Sequence, residues 1–436
     1  MLTPDNVRIA SLGPCRIPSP IRLNTISGDL VGNYVSEGTR VRHTVEIHGA
    51  SPSAPEVLLE KAGPRARLFF DPQKTRAAIV TCGGLCPGLN NVIRSAYLEL
   101  HHNYGVRDVL GIRYGYQGLN PKVGLPPVQL TTEMVASIHE EGGTILGTSR
   151  GPQPVGAVVD FLATERINIL FCVGGDGTQR GAHAICEEVQ RRGLSIAIVG
   201  IPKTIDNDIA CVARTFGFST AIERARDVLT CAHIEAQGAR NGIGLVKLMG
   251  RDAGFITAGA SLASQEVNFT LIPEVPFTLD GEGGFLNLLK KRLIARRHAL
   301  IAVAEGAGQD LLKDFPEERD ASGNVKRGDI GRYLRDRIEA FFREQQMPVS
   351  IKYFDPSYLI RSVPANCDDS LLCDQLARHA VHAGMAGKTD VLIGLWNDVF
   401  THVPISVAVT GKKRVSPEGE LWRSVLAATG QPPCFR

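Results

Sequence analysis

Short apolar runs that end near glycines and are followed by helix-like periods constrain the fold of this chain more than any other feature. In residues 76–102 a run at 77–82 leads into a GG-x-x-PG turn and then into a stretch whose apolar residues share one helical face. Six more runs could form buried strands, and they lie at residues 109–113, 167–175, 195–202, 242–250, 298–306 and 390–396. Helical patterns at 178–192 and 219–237 lie between some of them. This alternation is typical of parallel βαβ units and predicts an α/β fold with two doubly wound, Rossmann-like domains.

Two segments do not follow this alternation. Residues 1–75 are rich in proline and in short polar pieces and have no sustained period, so we expect an N-terminal extension. The polar stretch at residues 316–329 predicts an exposed loop inserted in the second domain.

The charge balance of the 436 residues excludes two broad classes of partner. The formal net charge is only +3, which indicates neither a nucleic-acid-binding nor a membrane-surface protein. No window of about 18 uninterrupted apolar residues occurs, and the N-terminus lacks the apolar core of a signal peptide. We therefore expect a cytoplasmic protein with no nucleic-acid and no membrane partner, whose ligand binds at a local site.

Two glycine-rich turns follow predicted strands, at the sheet edge where open α/β sheets bind ligands. In the first turn, Gly83 and Gly84 leave backbone N–H groups exposed ahead of a helix, which suits a phosphate. The second turn, GGDGT, sets Asp176 between Gly175 and Gly177, and a carboxylate beside a phosphate indicates a bridging Mg²⁺. Both turns also have a structural explanation, a tight strand-to-helix connection in the first and a helix-capping aspartate in the second.

The third turn, IPKTIDNDI at residues 201–209, combines a cation with two carboxylates after an apolar run. An extended loop would direct Thr204, Asp206 and Asp208 to one side. A carboxylate such as Asp206 can take the proton of an acceptor hydroxyl, while Lys203 can hold the oxygens of a transferred phosphoryl group. The alternative is a salt-bridged surface turn.

Three more segments carry single polar residues after apolar runs, at residues 247–255, 272–277 and 351–362. Arg251 suits a phosphate through paired hydrogen bonds, and Glu274 suits sugar hydroxyls. Read one at a time, these residues are better explained as surface charges.

In chain order, the motifs GGxxPGxN, GGTxLGTSR, GGDGT, PKTIDND, MGRxxG, PE and YxxR resemble those of the 6-phosphofructokinase family over about residues 76–400. The resemblance implies two doubly wound domains with the active site between them, and phosphorylation of fructose 6-phosphate at its 1-hydroxyl in glycolysis. It also implies a donor domain at residues 76–217, completed by about 361–425, and a sugar-phosphate domain at 218–360. Allosteric regulation and a homo-oligomer, with a tetramer favoured, follow from the same resemblance.

The resemblance assigns roles to individual residues of this chain. Binding of the phosphate donor falls to Gly84, Arg150, Gly151, Gly175, Asp176, Gly177, Thr178 and Gly181, with Asp176 as the Mg²⁺ ligand. Asp206 would be the catalytic base, with Lys203 and Arg251 as further catalytic residues. Binding of the sugar phosphate falls to Thr204, Asp206, Asp208, Met249, Gly250, Arg251, Glu274, Lys352, Tyr358 and Arg361, with Lys352 supplied by a neighbouring subunit.

The identity of the phosphate donor differs between branches of the family. Members that use pyrophosphate typically carry aspartate at the position of Gly177, where it fills the space of a nucleotide α-phosphate, and lysine at the position of Lys203. Short ATP enzymes carry glycine at both positions. The combination of Gly177 with Lys203 is similar to that of the long-branch ATP enzymes, so we expect ATP and Mg²⁺. The alternatives are a pyrophosphate-dependent enzyme and a non-catalytic nucleotide-sensing subunit, although a subunit released from catalysis would have no need of Asp176, Asp206 and Asp208 together.

Overall fold

The computed structural model describes residues 2–46, 56–312 and 327–436, so most of the loop predicted at 316–329 lies outside the described residues. The strands of the described residues are β1 (Ala10–Ser11), β2 (Ile17–Pro18), β3 (Arg40–Arg42), β4 (Leu58–Lys61), β5 (Arg67–Leu68), β6 (Arg76–Thr81), β7 (Asp108–Ile112), β8 (Val128–Gln129), β9 (Ile169–Gly174), β10 (Ala197–Pro202), β11 (Gly242–Leu248), β12 (Phe269–Leu271), β13 (His298–Ala304), β14 (Ser350–Phe354), β15 (Lys388–Thr389), β16 (Val391–Trp396) and β17 (Val399–Pro404).

The helices of the same residues are α1 (Leu89–Leu98), α2 (Thr132–Val135), α3 (Val155–Thr164), α4 (Asp176–Arg191), α5 (Phe218–Gln237), α6 (Phe255–Ser264), α7 (Phe285–Arg296), α8 (Ile330–Glu344), α9 (Cys367–Met385), α10 (Ile405–Ala408) and α11 (Glu420–Thr429). A π-helical segment, Glu99–Tyr104, continues α1. Short 3₁₀ segments lie at Gly115–Leu119, Ile138–Glu140, Gln309–Leu312 and Ser357–Ile360. None of the helices that the structure describes combines the length and apolarity that a membrane crossing requires.

The chain divides into two compact units. Unit 1 comprises Met1–Thr204, Ile209–Gly217 and Val363–Lys412. Unit 2 comprises Ile205–Asp208, Phe218–Ser362 and Lys413–Arg436. The domain boundaries implied by the family resemblance stay a prediction.

Unit 1 is built on a nine-stranded sheet in the order β3-β4-β17-β16-β10-β9-β6-β7-β8. Its central strands from β16 to β7 run parallel, whereas β17, β4, β3 and β8 are antiparallel to their neighbours. Every residue of β9 and β10 is buried, because helices cover both faces of a parallel sheet. This burial explains why these strands read as continuous apolar runs in the sequence.

The predicted N-terminal extension contributes strands to unit 1. Strands β3 and β4 add an antiparallel edge to the large sheet next to β17. Strand β1 pairs with β15, and β2 pairs with β5, each as a two-residue antiparallel contact. Strands β3 and β4 therefore extend the large sheet, whereas β1 with β15 and β2 with β5 form separate two-stranded sheets.

Unit 2 has a smaller, entirely parallel sheet in the order β12-β13-β11-β14. Its core contains a cluster of phenylalanines from different parts of the chain. Phe435, next to the C-terminus, lies 5.7 Å from Phe285 and 6.1 Å from Phe269 between ring centroids. Aromatic packing of this kind, favourable beyond simple area burial, holds the C-terminal segment to unit 2.

The predicted α/β fold with two doubly wound units is confirmed, and all seven predicted strands are present as β6, β7, β9, β10, β11, β13 and β16. The helix predicted at 178–192 starts two residues earlier, at Asp176. Gly193, which follows it, has φ +66°, the left-handed conformation expected of a residue that ends a helix.

His379 on α9 predicts an acid-sensitive fold. The ring of His379 stacks on Phe400 with centroids 4.4 Å apart, and its Nδ1 is buried without a hydrogen-bond partner among the described residues. Burial, with smaller contributions from nearby cations, lowers the pKa of His379 from 6.5 to about 4. At a pH between these two pKa values, His379 is protonated in the unfolded chain but not in the folded chain. Stability is therefore expected to fall as the pH drops from 6.5 towards 4, by up to about 3 kcal/mol for this group.

The midpoint of thermal unfolding, measured across this pH range, checks the expectation. The variant His379→Phe keeps an aromatic ring against Phe400 and is expected to lose part of the pH dependence. The variant His102→Gln, at an exposed position, should keep all of it. A His379→Phe protein with the wild-type pH dependence would contradict the assignment.

Candidate active site

Three neighbouring parallel strands of unit 1 end at the same edge of the sheet, and each is followed by one of the predicted turns. Thr81 at the end of β6 pairs in register with Val173 of β9, and Gly174 of β9 pairs with Pro202 of β10. The structure thus brings the GG-x-x-PG, GGDGT and PKT turns together at the carboxyl ends of the strands, where open α/β sheets bind ligands.

Lys203 connects two of these turns. Its Nζ donates a hydrogen bond to the backbone oxygen of Gly84 at 2.6 Å, and its backbone N–H donates to the oxygen of Gly174 at 3.1 Å. The residue is only 6% exposed. The predicted alternative for this residue, a salt-bridged surface turn, is wrong for Lys203, because the residue is buried at the sheet edge. Thr204, the next residue, accepts a hydrogen bond at its backbone oxygen from Thr215 at 2.7 Å.

The GTSR loop lies against the first turn. Thr148 Oγ1 donates to the backbone oxygen of Gly83 at 2.6 Å, and the Gly83 N–H donates to the oxygen of Ser149 at 3.0 Å. These bonds bring the exposed Arg150 and Gly151, which has φ +91°, to the same edge of unit 1. The predicted donor-binding residues of this loop therefore join those of the first turn.

The GGDGT turn forms the start of α4. Gly175 is the residue before the helix, and Asp176 is its first residue, so Asp176 does not cap the helix from outside. The carboxylate of Asp176 is 21% exposed and lies 2.6 Å from the guanidinium of Arg180, one turn along. A Cβ added at Gly177 would meet no atom of the described residues within 4 Å. The first turn of α4 therefore combines helix N–H groups, one carboxylate and open space.

Gly181 and Thr178 have a structural role that the sequence did not reveal. A Cβ at Gly181 would come within 2.6 Å of the ring of Tyr116, so the glycine makes room for this side chain. The Tyr116 hydroxyl donates to the backbone oxygen of Thr178 at 2.7 Å, and Thr178 is 7% exposed. Packing of Tyr116 accounts for Gly181, and a phosphate contact for either residue stays a prediction.

Gln179, a residue that sequence reasoning missed, joins the ends of two strands. Its Nε2 lies within hydrogen-bond distance of three backbone oxygens, those of Cys172 (3.2 Å), Gly174 (3.0 Å) and Ile201 (3.3 Å). The side chain is fully buried. Gln179 thereby holds the carboxyl ends of β9 and β10 together, directly beneath the turns that follow them.

In unit 2, residues 205–208 hold the two carboxylates of the third turn. Asn207 has φ +54°, so the loop is not extended, and the condition under which alternate residues would lie on one side is not met. Asparagine adopts this left-handed conformation more readily than most residues. The side chain of Asp206 is 13% exposed, and its Oδ2 lies 3.8 Å from Nε of Arg251. Asp208 is 8% exposed.

The turn after β11 carries Met249, Gly250 and Arg251. Gly250 has φ +145° and Arg251 has φ +51°. Their backbone N–H groups donate to one oxygen of Glu305, at 3.3 and 2.8 Å respectively. This carboxylate, which the sequence did not indicate as a site residue, fixes a turn in which the half-buried Met249 precedes the Arg251 side chain, 42% exposed.

Glu274 follows β12 and is held by backbone groups. Its carboxylate accepts hydrogen bonds from the N–H of Gly254 at 2.9 Å and from the N–H of Val415 at 2.9 Å. Two backbone donors on one carboxylate fix its orientation. The predicted sugar-binding Glu274 is therefore a rigid acceptor.

The last group of predicted site residues lies on β14 and in the segment after it. Lys352 is exposed on this strand, and Tyr358 in the next 3₁₀ segment is 64% exposed. The guanidinium carbon of Arg361 lies 4.7 Å from the ring centroid of Tyr358, a cation–π distance. Lys247 of β11, also missed in the sequence, donates to Asp355 in the connection to this segment at 2.8 Å.

A second carboxylate completes the contacts of Lys247. Its Nζ also lies 3.0 Å from Asp329 Oδ1. Burial disfavours the charge, but the hydrogen bonds to Asp355 and Asp329 outweigh it and raise the pKa of Lys247 above its usual range. The lysine is thus a permanent cation that ties the β14 connection to β11.

Within the described ranges, no group of three or more histidine, cysteine, aspartate or glutamate side chains is arranged to hold a metal ion. Any divalent cation at the α4 turn would have to bind through the single carboxylate of Asp176 together with oxygens from a ligand and water. Mg²⁺ at phosphate sites commonly binds in this way, through one or two carboxylates and the phosphates of a substrate.

Comparisons with known proteins identify the family. The Phosphofructokinase family model matches residues 76–384. A protein of Borreliella burgdorferi named ATP-dependent 6-phosphofructokinase is 47% identical over 98% of this chain and 96% of its own length. A protein of Arabidopsis thaliana named ATP-dependent 6-phosphofructokinase 7 is 43% identical over 95% of this chain and 85% of its own length.

The fold is also similar to that of solved structures. The crystal structure of a pyrophosphate-dependent phosphofructokinase from Marinobacter aquaeolei matches with a TM-score of 0.67 at 18% identity, over 81% of this chain and 91% of that one. This likeness concerns the fold alone, whereas the family match and the sequence identities cover most of the chain. The chain belongs to the phosphofructokinase family.

Proposed function

We propose that this protein is an ATP-dependent 6-phosphofructokinase, which transfers the γ-phosphoryl group of Mg²⁺–ATP to the 1-hydroxyl of fructose 6-phosphate. The products are fructose 1,6-bisphosphate and ADP, as in glycolysis. The observation that carries the choice of ATP is the open space at Gly177, because a nucleotide needs room for its α-phosphate beside the first turn of α4. The names of the similar curated proteins support the same donor.

The phosphate donor binds at the sheet edge of unit 1. Gly84, Arg150 and Gly151 contact the phosphates from the first turn and the GTSR loop. Gly175, Gly177, Thr178 and Gly181 line the start of α4, whose N–H groups and dipole favour an anion. Asp176 would hold Mg²⁺, which when bound supplies charge neutralisation across the donor phosphates. Its partly exposed position at the first residue of the helix fits this role.

The sugar phosphate is bound by Thr204 and by residues that follow β11, β12 and β14. Glu274, Met249 and Gly250 contact the sugar, and Tyr358 with Arg361 binds the 6-phosphate. Lys352, which is exposed on β14, acts on a neighbouring subunit of a homo-oligomer, with a tetramer favoured. We also propose a cytoplasmic location and allosteric regulation. The donor domain comprises residues 76–217 completed by 361–425, and the sugar-phosphate domain comprises 218–360.

Catalysis requires a proton acceptor and a stabilised phosphoryl group. Asp206 accepts the proton of the 1-hydroxyl, whose oxygen then attacks the γ-phosphorus as the bond to the ADP oxygen breaks. The guanidinium of Arg251 lies 3.8 Å from the Asp206 carboxylate, close enough for an ion pair. Lys203 and Arg251 balance negative charge on the transferred group, and Asp208 supports the position of the acceptor.

One assay tests this function and its alternatives together. Formation of fructose 1,6-bisphosphate is measured with Mg²⁺ and either ATP or pyrophosphate, and again after chelation of Mg²⁺ with EDTA. We expect product with ATP, none with pyrophosphate and none after chelation. Product with pyrophosphate alone would identify a pyrophosphate-dependent enzyme. Absence of product with both donors would favour a non-catalytic nucleotide-sensing subunit.

A further inference from the structure

A short C-terminal segment, residues 413–415, contacts the loop that carries the proposed base. The backbone N–H of Lys413 donates to the oxygen of Asp208 at 2.9 Å, and its Nζ donates to Oδ1 of Asn207 at 3.0 Å. This segment lies beyond residue 384, where the family match ends. The loop of Asp206 is therefore held by a part of the chain that the family motifs do not include.

Asn207 is the residue through which this contact can act on Asp206. It lies between the two carboxylates, is 5% exposed, and has φ +54°. A residue with positive φ changes the direction of the backbone, so its conformation sets the direction of the residues on either side of it. Because Lys413 binds the side-chain oxygen of Asn207, the lysine fixes the point at which the loop changes direction.

The segment is itself firmly anchored. Val415 is 3% exposed and packs with Ile272, Trp422 and Val425 in a small apolar cluster. Its N–H is also one of the two donors to Glu274, at 2.9 Å. The segment therefore contacts the proposed base loop through Lys413 and the proposed sugar-binding carboxylate through Val415.

The surroundings of the Lys413 ammonium strengthen its hydrogen bond to Asn207. Its Nζ lies 5.3 Å from the ring centroid of Phe255. Burial lowers the pKa of Lys413 to about 8, although the charge of Asp208 opposes this shift. A hydrogen bond from a charged donor is shorter and stronger than one between neutral groups, and the effect is larger where water is excluded.

We propose that Lys413 is a positioning residue of the phosphoryl transfer, which holds Asn207 and thereby orients Asp206 towards the acceptor hydroxyl. The proposal rests on the proposed function and adds a residue to it. Lys413 itself need not touch either substrate. Its removal should therefore affect the chemical step and leave binding of ATP unchanged.

The test compares Lys413→Met with the wild-type protein in the fructose 1,6-bisphosphate assay. We expect kcat to fall roughly 100-fold, since small displacements of a reacting group have effects of this size, while KM for ATP stays the same. Lys413→Arg, which retains a cationic donor, should recover a large part of kcat. Arg414→Met removes an exposed cation from the next position and should leave kcat unchanged.

Asn207→Gly, alone and combined with Lys413→Met, tests the same contact from its other side, also if Lys413→Met alone does not fold. Asn207→Gly removes the side-chain acceptor but tolerates the positive φ, and it is expected to lower kcat to a similar extent. Combining both substitutions should cost little more than either one, because both remove the same contact. Full kcat in Lys413→Met, or additive losses in the double variant, would overturn the proposal. A wild-type protein with no activity would instead refute the proposed function, and the positioning role with it.

Discussion

Replacing Asp206 by asparagine is expected to lower kcat by roughly 10²- to 10⁴-fold, the contribution typical of a general base. The amide has nearly the same shape as the carboxylate, so the loop of residues 205–208 should keep its fold, but asparagine cannot accept the proton of the 1-hydroxyl. KM for fructose 6-phosphate and KM for ATP should change little. Steady-state kinetics with both substrates, together with a thermal unfolding curve, measure the effect.

Asp336→Asn is the matched control for this variant. Asp336 is 64% exposed on α8 and pairs with Arg335, so the same loss of charge occurs at a surface ion pair. Surface pairs of this kind contribute little to stability, and kcat should be unaffected. An Asp206→Asn enzyme with nearly wild-type kcat would show that another group removes the proton.

The strands that could be predicted are those whose burial on both faces makes them continuous apolar runs. Strands β9 and β10 are fully buried, so both could be predicted from their apolar runs in the sequence. Strand β14 was missed because it has no fully buried residue, and β12 because it has three residues only. Neither pattern differs enough from a loop to be recognised alone.

The hairpin of β16 and β17 was missed although its signal is present in the sequence. Asn397 and Asp398 form the two-residue connection, and both have positive φ, at 50° and 58°. Two-residue hairpin turns favour asparagine, aspartate and glycine for this reason. Successive strands of a parallel βαβ unit are separated by a crossover, whereas here a two-residue turn reverses the direction of the sheet.

The predicted site residues lie in turns that are local in sequence, whereas two of the missed ones make contacts that are distant in sequence. Lys203 and Asp206 lie in one turn after one strand, so a single motif revealed both. Lys413 contacts Asn207 across 206 positions of the chain, and Glu305 contacts Arg251 across 54. No spacing rule for helices or strands connects residues that far apart, so only the folded chain could reveal them.

Gly177→Asp is expected to reduce kcat/KM for ATP by roughly 10²-fold, about 3 kcal/mol of lost transition-state binding. The added carboxylate fits without a clash, since a Cβ at this position meets no atom of the described residues within 4 Å. It would, however, lie beside Asp176 in the space proposed for the donor phosphates, and its negative charge would repel them. An acidic residue in the first turn of a helix is favourable for folding, so the loss should not come from unfolding. Kinetics with varied ATP at saturating fructose 6-phosphate give the value.

Gly177→Ala separates the effect of charge from that of size. A methyl group occupies a small part of the open space and carries no charge, so its loss of kcat/KM for ATP should be far smaller than that of Gly177→Asp. Both variants should keep the wild-type KM for fructose 6-phosphate, because Gly177 lies at the donor edge of unit 1. If Gly177→Asp used ATP as well as the wild-type protein, the space at the start of α4 could not be the channel for the nucleotide. Equal losses in both variants would mean that size alone excludes ATP, and that the electrostatic part of the argument is wrong.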